Sequence, residues 1–214
     1  MKNKTKNIVY RNFNFDGLDT SDEHPGRITG KPVLLETRSN LGPFDEIIEA
    51  GALDACDMKD VRLCLNHDTS YVYARSRNSK GTMRLTRGLK GVEIEADLAV
   101  DESPKAQDFY TAIKRGDISG MSFMFSIADD AWEDTRSEHP LHRIKAIDRI
   151  YEVSAVTFPA YPQTEIQARD LQAALDGARA ALDEAEKEQR DKTPDGDTAA
   201  KDAAELAKLK WLYR

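Results

Sequence analysis

Three segments of this 214-residue chain carry side chains able to do hydrolytic chemistry. Residues 61–68 (VRLCLNHD) run into His67, residues 116–126 (GDISGMSFMFS) contain Ser122, and residues 151–164 (YEVSAVTFPAYPQT) carry Glu152 as their second residue. A serine hydroxyl becomes a useful nucleophile when a base lies within hydrogen-bond reach and a third group orients that base. Histidine takes and returns a proton near neutral pH, and a carboxylate can fix its tautomer and stabilise the imidazolium that forms. Ser122, His67 and Glu152 are therefore the candidate nucleophile, base and orienting group.

Each of these residues emerges from strand-like sequence. Val61, Leu63 and Leu65 alternate with Arg62, Cys64 and Asn66, the period of a strand with one buried face that ends at His67. Met121, Phe123, Phe125 and Ile127 occupy one face of a second strand, so Ser122 points away from the aromatic face along with Gly120, Met124 and Ser126. In the third, Glu152, Ser154, Val156 and Phe158 share a face, preceded by an apolar stretch at 144–150 and a polar excursion at 129–142.

The surrounding pattern is mostly β. Residues 28–35 read as a strand, 40–43 as a turn and 44–52 as a short helical or extended connector. Residues 82–87 and 91–100 alternate around a glycine-containing turn at 88–90, as in a β-hairpin. A helix is expected over 103–115, with Ser103 as N-cap, Pro104 at the first helical position and Ala106, Phe109 and Ile113 on its inner face. Gly116 ends it.

Other groupings compete for the chemistry. His139, His142 and Asp68 are alternatives to Glu152 as the third member, with Glu152 ranked first and His142 second. The two histidines also raise a metal site, but Pro140 disfavours a helix presenting both, and no cysteine or carboxylate pattern completes a ligand set. Cys64 and His67 raise a thiol nucleophile, but residues three apart on one strand face opposite sides, and Cys64 reads as a small buried hydrophobe. There is no G-x-S-x-G elbow of the esterase type, because Ser122 sits in Gly-Met-Ser-Phe.

Composition narrows the function classes. A hydrophobic fraction of 40% supports a real core, and the charged fraction of 32% reflects polar ends around an apolar middle. A net charge of -7 argues against nucleic acid or an anionic membrane surface as partner and favours folded proteins. Two cysteines, no secretory signal segment and no apolar run near the ~20 residues that cross a bilayer lead to the expectation of a reducing cytoplasm. The expected organisation is a mobile arm at 1–26, a catalytic domain at 27–167, and a charged helical tail at 168–214 with a linker near 191–198. In that tail Leu171, Leu175, Ala178, Leu182 and Ala185 repeat in steps of four and three, enough for a short coiled coil or self-association.

LNHD at 65–68, GDISGMSF at 116–123 and EVSAVTFPAYPQT at 152–164 resemble, in order and spacing, the prohead proteases of tailed bacteriophages. ITGKPVLLE from Ile28 and FDEIIEAGALD from Phe44 resemble that family's opening strand and acidic segment, so the likeness covers about 27–168. The resemblance implies a serine endopeptidase related to the herpesvirus assemblins: an α+β protein built on a compact, mostly antiparallel β-barrel flanked by helices, with a C-terminal helical extension. It implies cleavage of scaffold and capsid-protein extensions, and of the enzyme itself, inside an assembling procapsid in the bacterial host cytoplasm, with no metal or organic cofactor. The alternative on the same fold is a noncatalytic protein that binds capsid or scaffold during assembly. Two departures stand out: Met124 where a glycine commonly follows the Ser-Phe pair, and an acidic, insert-like stretch (DDAWEDTRSEHP) that bears on the shape of the substrate groove.

Overall fold

The computed structural model describes residues 8–13, 17–78, 80–157 and 165–192. In chain order the first strands are β1 (Ile8–Phe13), β2 (Asp19–Thr20), β3 (Arg27–Leu34), β4 (Ser39–Asn40), β5 (Asp45–Ile48), β6 (Arg62–Leu65) and β7 (Ala74–Arg75). There follow β8 (Met83–Gly88), β9 (Gly91–Asp97), helix α1 (Pro104–Lys114), β10 (Gly120–Glu133), β11 (Leu141–Val156) and helix α2 (Glu165–Lys192).

Two sheets form the β-rich unit. The larger runs β1-β10-β11-β5-β4, with β6 also on β11 and β7 on β6; the smaller runs β2-β3-β9-β8. Pairing is antiparallel except where β5 and β6 lie parallel to β11. The sheets do not close on one another, so the expected barrel is corrected to two open sheets in an α+β fold. Closure requires a continuous ladder around the circumference. Here no ladder joins the two sheets among the described residues.

The core lies where alternating strand faces meet. Met121, Phe123 and Phe125 of β10, Val153 and Ala155 of β11, Ile28 and Val33 of β3, and Val92, Ile94 and Ala96 of β9 are all buried in one cluster. Burying each of the larger side chains contributes roughly 1.5–3 kcal/mol. Phe123 and Phe125, two residues apart on one face, stack with ring centroids 4.4 Å apart. Gly30 of β3 marks the close approach of the sheets, since a β-carbon there would run into the Met121 sulfur.

Most elements fall where alternation and capping put them. β8 and β9 form the expected hairpin. In α1 the Ser103 hydroxyl accepts from the Ala106 N–H at 3.3 Å, Pro104 opens the helix, and Ala106, Phe109 and Ile113 are its buried residues. The 44–52 connector is extended as β5 before it turns. The acidic excursion is the far end of a long hairpin, because β10 continues to Glu133 and β11 starts at Leu141. Phe158 and residues 193–214, the later part of the expected helical tail, lie outside the described residues.

The N-terminal arm needs the largest revision. Residues 8–13 pair with β10 along Met121–Ser126, and residues 19–20 pair with β3. Both segments are strands of the sheets. The chain divides into two compact units at residue 172. In the second, the described residues belong to α2, a charged, largely exposed helix whose 28 residues include the expected helical stretch.

Candidate active site

The β10–β11 hairpin carries two of the three candidate residues. Ser122 stands directly opposite Ser154, and Met124 opposite Glu152, so Glu152 and Ser154 project beside Ser122 from alternate positions of the neighbouring strand. On the other edge of β11, β6 lies parallel with Ser154 opposite Cys64 and Ala155 opposite Leu65. His67, two residues past the end of β6, is thereby delivered to the same place.

The turn that presents His67 has an unusual backbone. Asn66 and His67 both have left-handed φ values, 50° and 61°. Asparagine and histidine are among the non-glycine residues that adopt this conformation most readily, at a cost on the order of 1 kcal/mol each. The end of β11 fixes the turn. The Asn66 N–H donates to the Ala155 carbonyl at 2.9 Å, and Asn66 Oδ1 accepts from the N–H and hydroxyl of Thr157 at 3.0 and 2.9 Å. The His67 N–H donates to Ser154 Oγ at 3.0 Å.

The three side chains then line up. His67 Nε2 is 2.7 Å from Ser122 Oγ, and His67 Nδ1 is 2.9 Å from Glu152 Oε2. Ser154 Oγ donates to the other Glu152 oxygen, Oε1. Glu152 is 1% exposed and Ser122 is fully buried. A carboxylate that far from water needs partners, and His67 and Ser154 are the two it has across its oxygens.

The other candidates lie elsewhere. Asp68 accepts from the Ser70 N–H and hydroxyl and does not meet the imidazole. His142 Nδ1 is 2.9 Å from Glu46 Oε2, and its Nε2 is 2.7 Å from Asp130. His139 Nε2 lies 2.6 Å from Asp45. Burial, reinforced by the nearby Glu152 charge, pushes the Cys64 thiol up to about 12, so it remains protonated and unreactive. Among the described residues no three His, Cys, Asp or Glu side chains are grouped to hold a metal ion, and no helix is long and apolar enough to cross a membrane.

Two features were missed in the sequence. Ser154 shares a strand face with Glu152, and the E-V-S alternation is the signal that puts its hydroxyl within reach of the carboxylate. Arg11 comes from the supposed arm. Its Nε and Nη2 donate to the two oxygens of Glu46 at 2.5 and 2.7 Å, and its carbonyl accepts from Ser122 Oγ at 2.9 Å. Nothing local marks a contact spanning that length of chain. Burial pushes the Glu46 carboxyl up, but Arg11 and His142 outweigh it and hold it at about 2. The acidic hairpin tip is removed from Ser122 along β10, so it does not shape the immediate surroundings of the hydroxyl.

Beside the His67 turn lies a cavity of about 390 Å³ lined by Leu65, Tyr71, Tyr73, Phe109 and Ile118, with Asp68, Asp108 and Lys105 adding charge.

Comparison with known proteins gives one match. A family model described as caudovirus prohead serine protease covers residues 16–176, from just after β1 into α2. No curated protein and no solved structure matches the chain. Because the match takes in most of the sequence and every element that positions Ser122, His67 and Glu152, the chain belongs to the caudovirus prohead serine protease family.

Proposed function

We propose that this chain is a serine endopeptidase of phage procapsid maturation, with Ser122 as nucleophile, His67 as general base and Glu152 as the group that orients it. The observation that carries this reading is the continuous chain from Ser122 Oγ through both ring nitrogens of His67 to a buried carboxylate. Glu152 keeps a proton on Nδ1, which leaves the Nε2 lone pair to take the serine proton as Oγ attacks a peptide carbonyl carbon. The imidazolium, stabilised by Glu152, passes that proton to the departing amine. Water then enters, gives a proton back to Nε2 and attacks the acyl ester, and the serine recovers its hydrogen as the acid leaves.

Ser154 acts as a positioning residue, since it joins the carboxylate to the backbone of the histidine turn. The cavity beside that turn, with mixed apolar and charged walls, gives one substrate side chain a place to bind. The substrates in this reading are scaffold and capsid-protein extensions and the enzyme's own chain, cut inside the procapsid in the host cell, as the family supports. Kinship with the herpesvirus assemblins belongs to the same reading.

Intact mass spectrometry of wild type and Ser122→Ala, incubated with and without a phage major capsid protein, tests this. Trimming of capsid protein or of the enzyme by wild type, absent with Ser122→Ala, is the expected result. Equal trimming by both would remove Ser122 as nucleophile, and no trimming by either would favour a noncatalytic assembly role.

A further inference from the structure

Strand β10 has two edges. One is taken by β11, which brings Glu152 and Ser154; the other is taken by β1, six residues in antiparallel register with Asn12 opposite Ser122. A protease holds an extended peptide beside its nucleophile, and a free strand edge supplies the backbone hydrogen bonds that do so. The edge next to Ser122 is the one that β1 fills.

At Ser122 this occupancy has a chemical consequence. The hydroxyl has a single proton and two acceptors in reach, the Arg11 carbonyl at 2.9 Å and His67 Nε2 at 2.7 Å. While the proton points to the carbonyl, His67 cannot remove it. The hydroxyl also meets Arg11 as a donor to the carbonyl oxygen, not as a nucleophile over the carbon. Tyr10, the neighbouring residue of β1, packs its ring edge-on against His67 with centroids 4.8 Å apart. One strand therefore engages both the nucleophile and the base.

Apolar burial along β1 is partial: Val9 packs half-buried against the core, while its neighbours on either side are open to solvent. Ile8 and Tyr10 are 50% and 42% exposed. Its firm attachment is Arg11, which spans the two intervening strands to Glu46 on β5 and donates from Nη1 back to the Tyr10 carbonyl at 2.8 Å. A short, partly exposed edge strand opens at lower cost than the core strands do.

We propose that β1 is the chain's own occupant of the substrate edge of β10, an inhibitory strand latched by Arg11 and Glu46, and that an extended substrate peptide pairs with β10 in its place. The inference rests on Ser122 being the nucleophile, and the test separates the two. In the full chain, Ile8→Cys with Ser126→Cys places two thiols at directly opposed positions of the β1–β10 ladder, four residues from Ser122 and within disulfide reach. The native thiols interfere little, since Cys64 is buried and burial raises Cys56 to about 11.

Labelling by diisopropyl fluorophosphate, followed by intact mass and peptide mapping, reads access to Ser122. The oxidised, locked form is expected to label at least tenfold more slowly than the same protein reduced. Arg11→Lys, which keeps the charge but loses the two-pronged contact, is expected to label about tenfold faster than wild type. Equal labelling of the locked and reduced forms overturns the inhibitory strand while leaving Ser122 as nucleophile. Unchanged labelling in Arg11→Lys overturns the latch. Absence of label from Ser122 in every form overturns the nucleophile assignment and this inference with it.

Discussion

Glu46→Gln probes the buried network that joins β1 to the rest of the large sheet. In the folded protein the carboxyl is brought from its ordinary 4.5 to about 2 by Arg11 and His142, against the opposing effect of burial. That difference corresponds to roughly 3 kcal/mol favouring the charged form in the native state. Because the folded value is depressed, the contribution is fully present above about pH 4.5 and is lost as the pH falls towards 2. Replacing the carboxylate leaves Arg11 nearly buried without its partner, a change that costs about 3–5 kcal/mol for pairs of this kind. With a urea slope of about 2 kcal/mol/M, the unfolding midpoint at pH 7 should fall by roughly 1.5 M, read by far-ultraviolet circular dichroism. The gap between wild type and variant should then shrink with acid, with most of it gone by pH 2.5. A midpoint shift under about 0.3 M at pH 7 would contradict the assigned ion pair. So would a gap that persists undiminished at pH 2.5.

Three further outcomes follow from the site. Glu152→Gln should lower kcat for capsid-protein cleavage by roughly four orders of magnitude with KM little changed, because an amide cannot hold the imidazole in the working tautomer; a loss under tenfold would contradict the orienting role. Ser154→Ala removes one hydrogen bond to Glu152 and one from the His67 backbone, so kcat should drop about tenfold at constant KM while the protein remains folded; a wild-type rate would show that the turn positions itself. Cys64, with its thiol pushed up to about 12, should resist iodoacetamide at pH 8 in the native protein and react once unfolded in urea. Alkylation of the native protein at Cys64 with loss of activity would reopen a thiol role.

The parts of this molecule governed by short-range rules were legible in its sequence. Alternation located β6, β8, β9, β10 and β11, and the Ser103-Pro104 pair located the start of α1. The same alternation put Ser122 opposite the aromatic face, and the order of the three motifs brought His67 and Glu152 to it. Contacts between distant segments were not legible. The polar and acidic composition of residues 1–26 as a whole outweighed the hydrophobes between Ile8 and Phe15, because β1 owes its place to the β10 edge and to Glu46, both distant in sequence. Ser122 read as a residue on a polar face, yet it is fully buried, since what covers it comes from β1 and the His67 turn. Barrel closure was likewise beyond the pattern of individual strands, because it depends on how sheet edges meet.

The long β10–β11 hairpin also separates two uses of one strand. Ser122 sits near its start, while the turn at 134–140 lies twelve or more residues further on, up to about 40 Å away at the usual rise of a strand. That turn is largely exposed and bends through Asp134, whose φ is 51°. A peptide tag or dye introduced near Ser137 would sit far from the reacting groups. The hairpin thus provides a natural handle by which the protein could be followed without touching Ser122, His67 or Glu152.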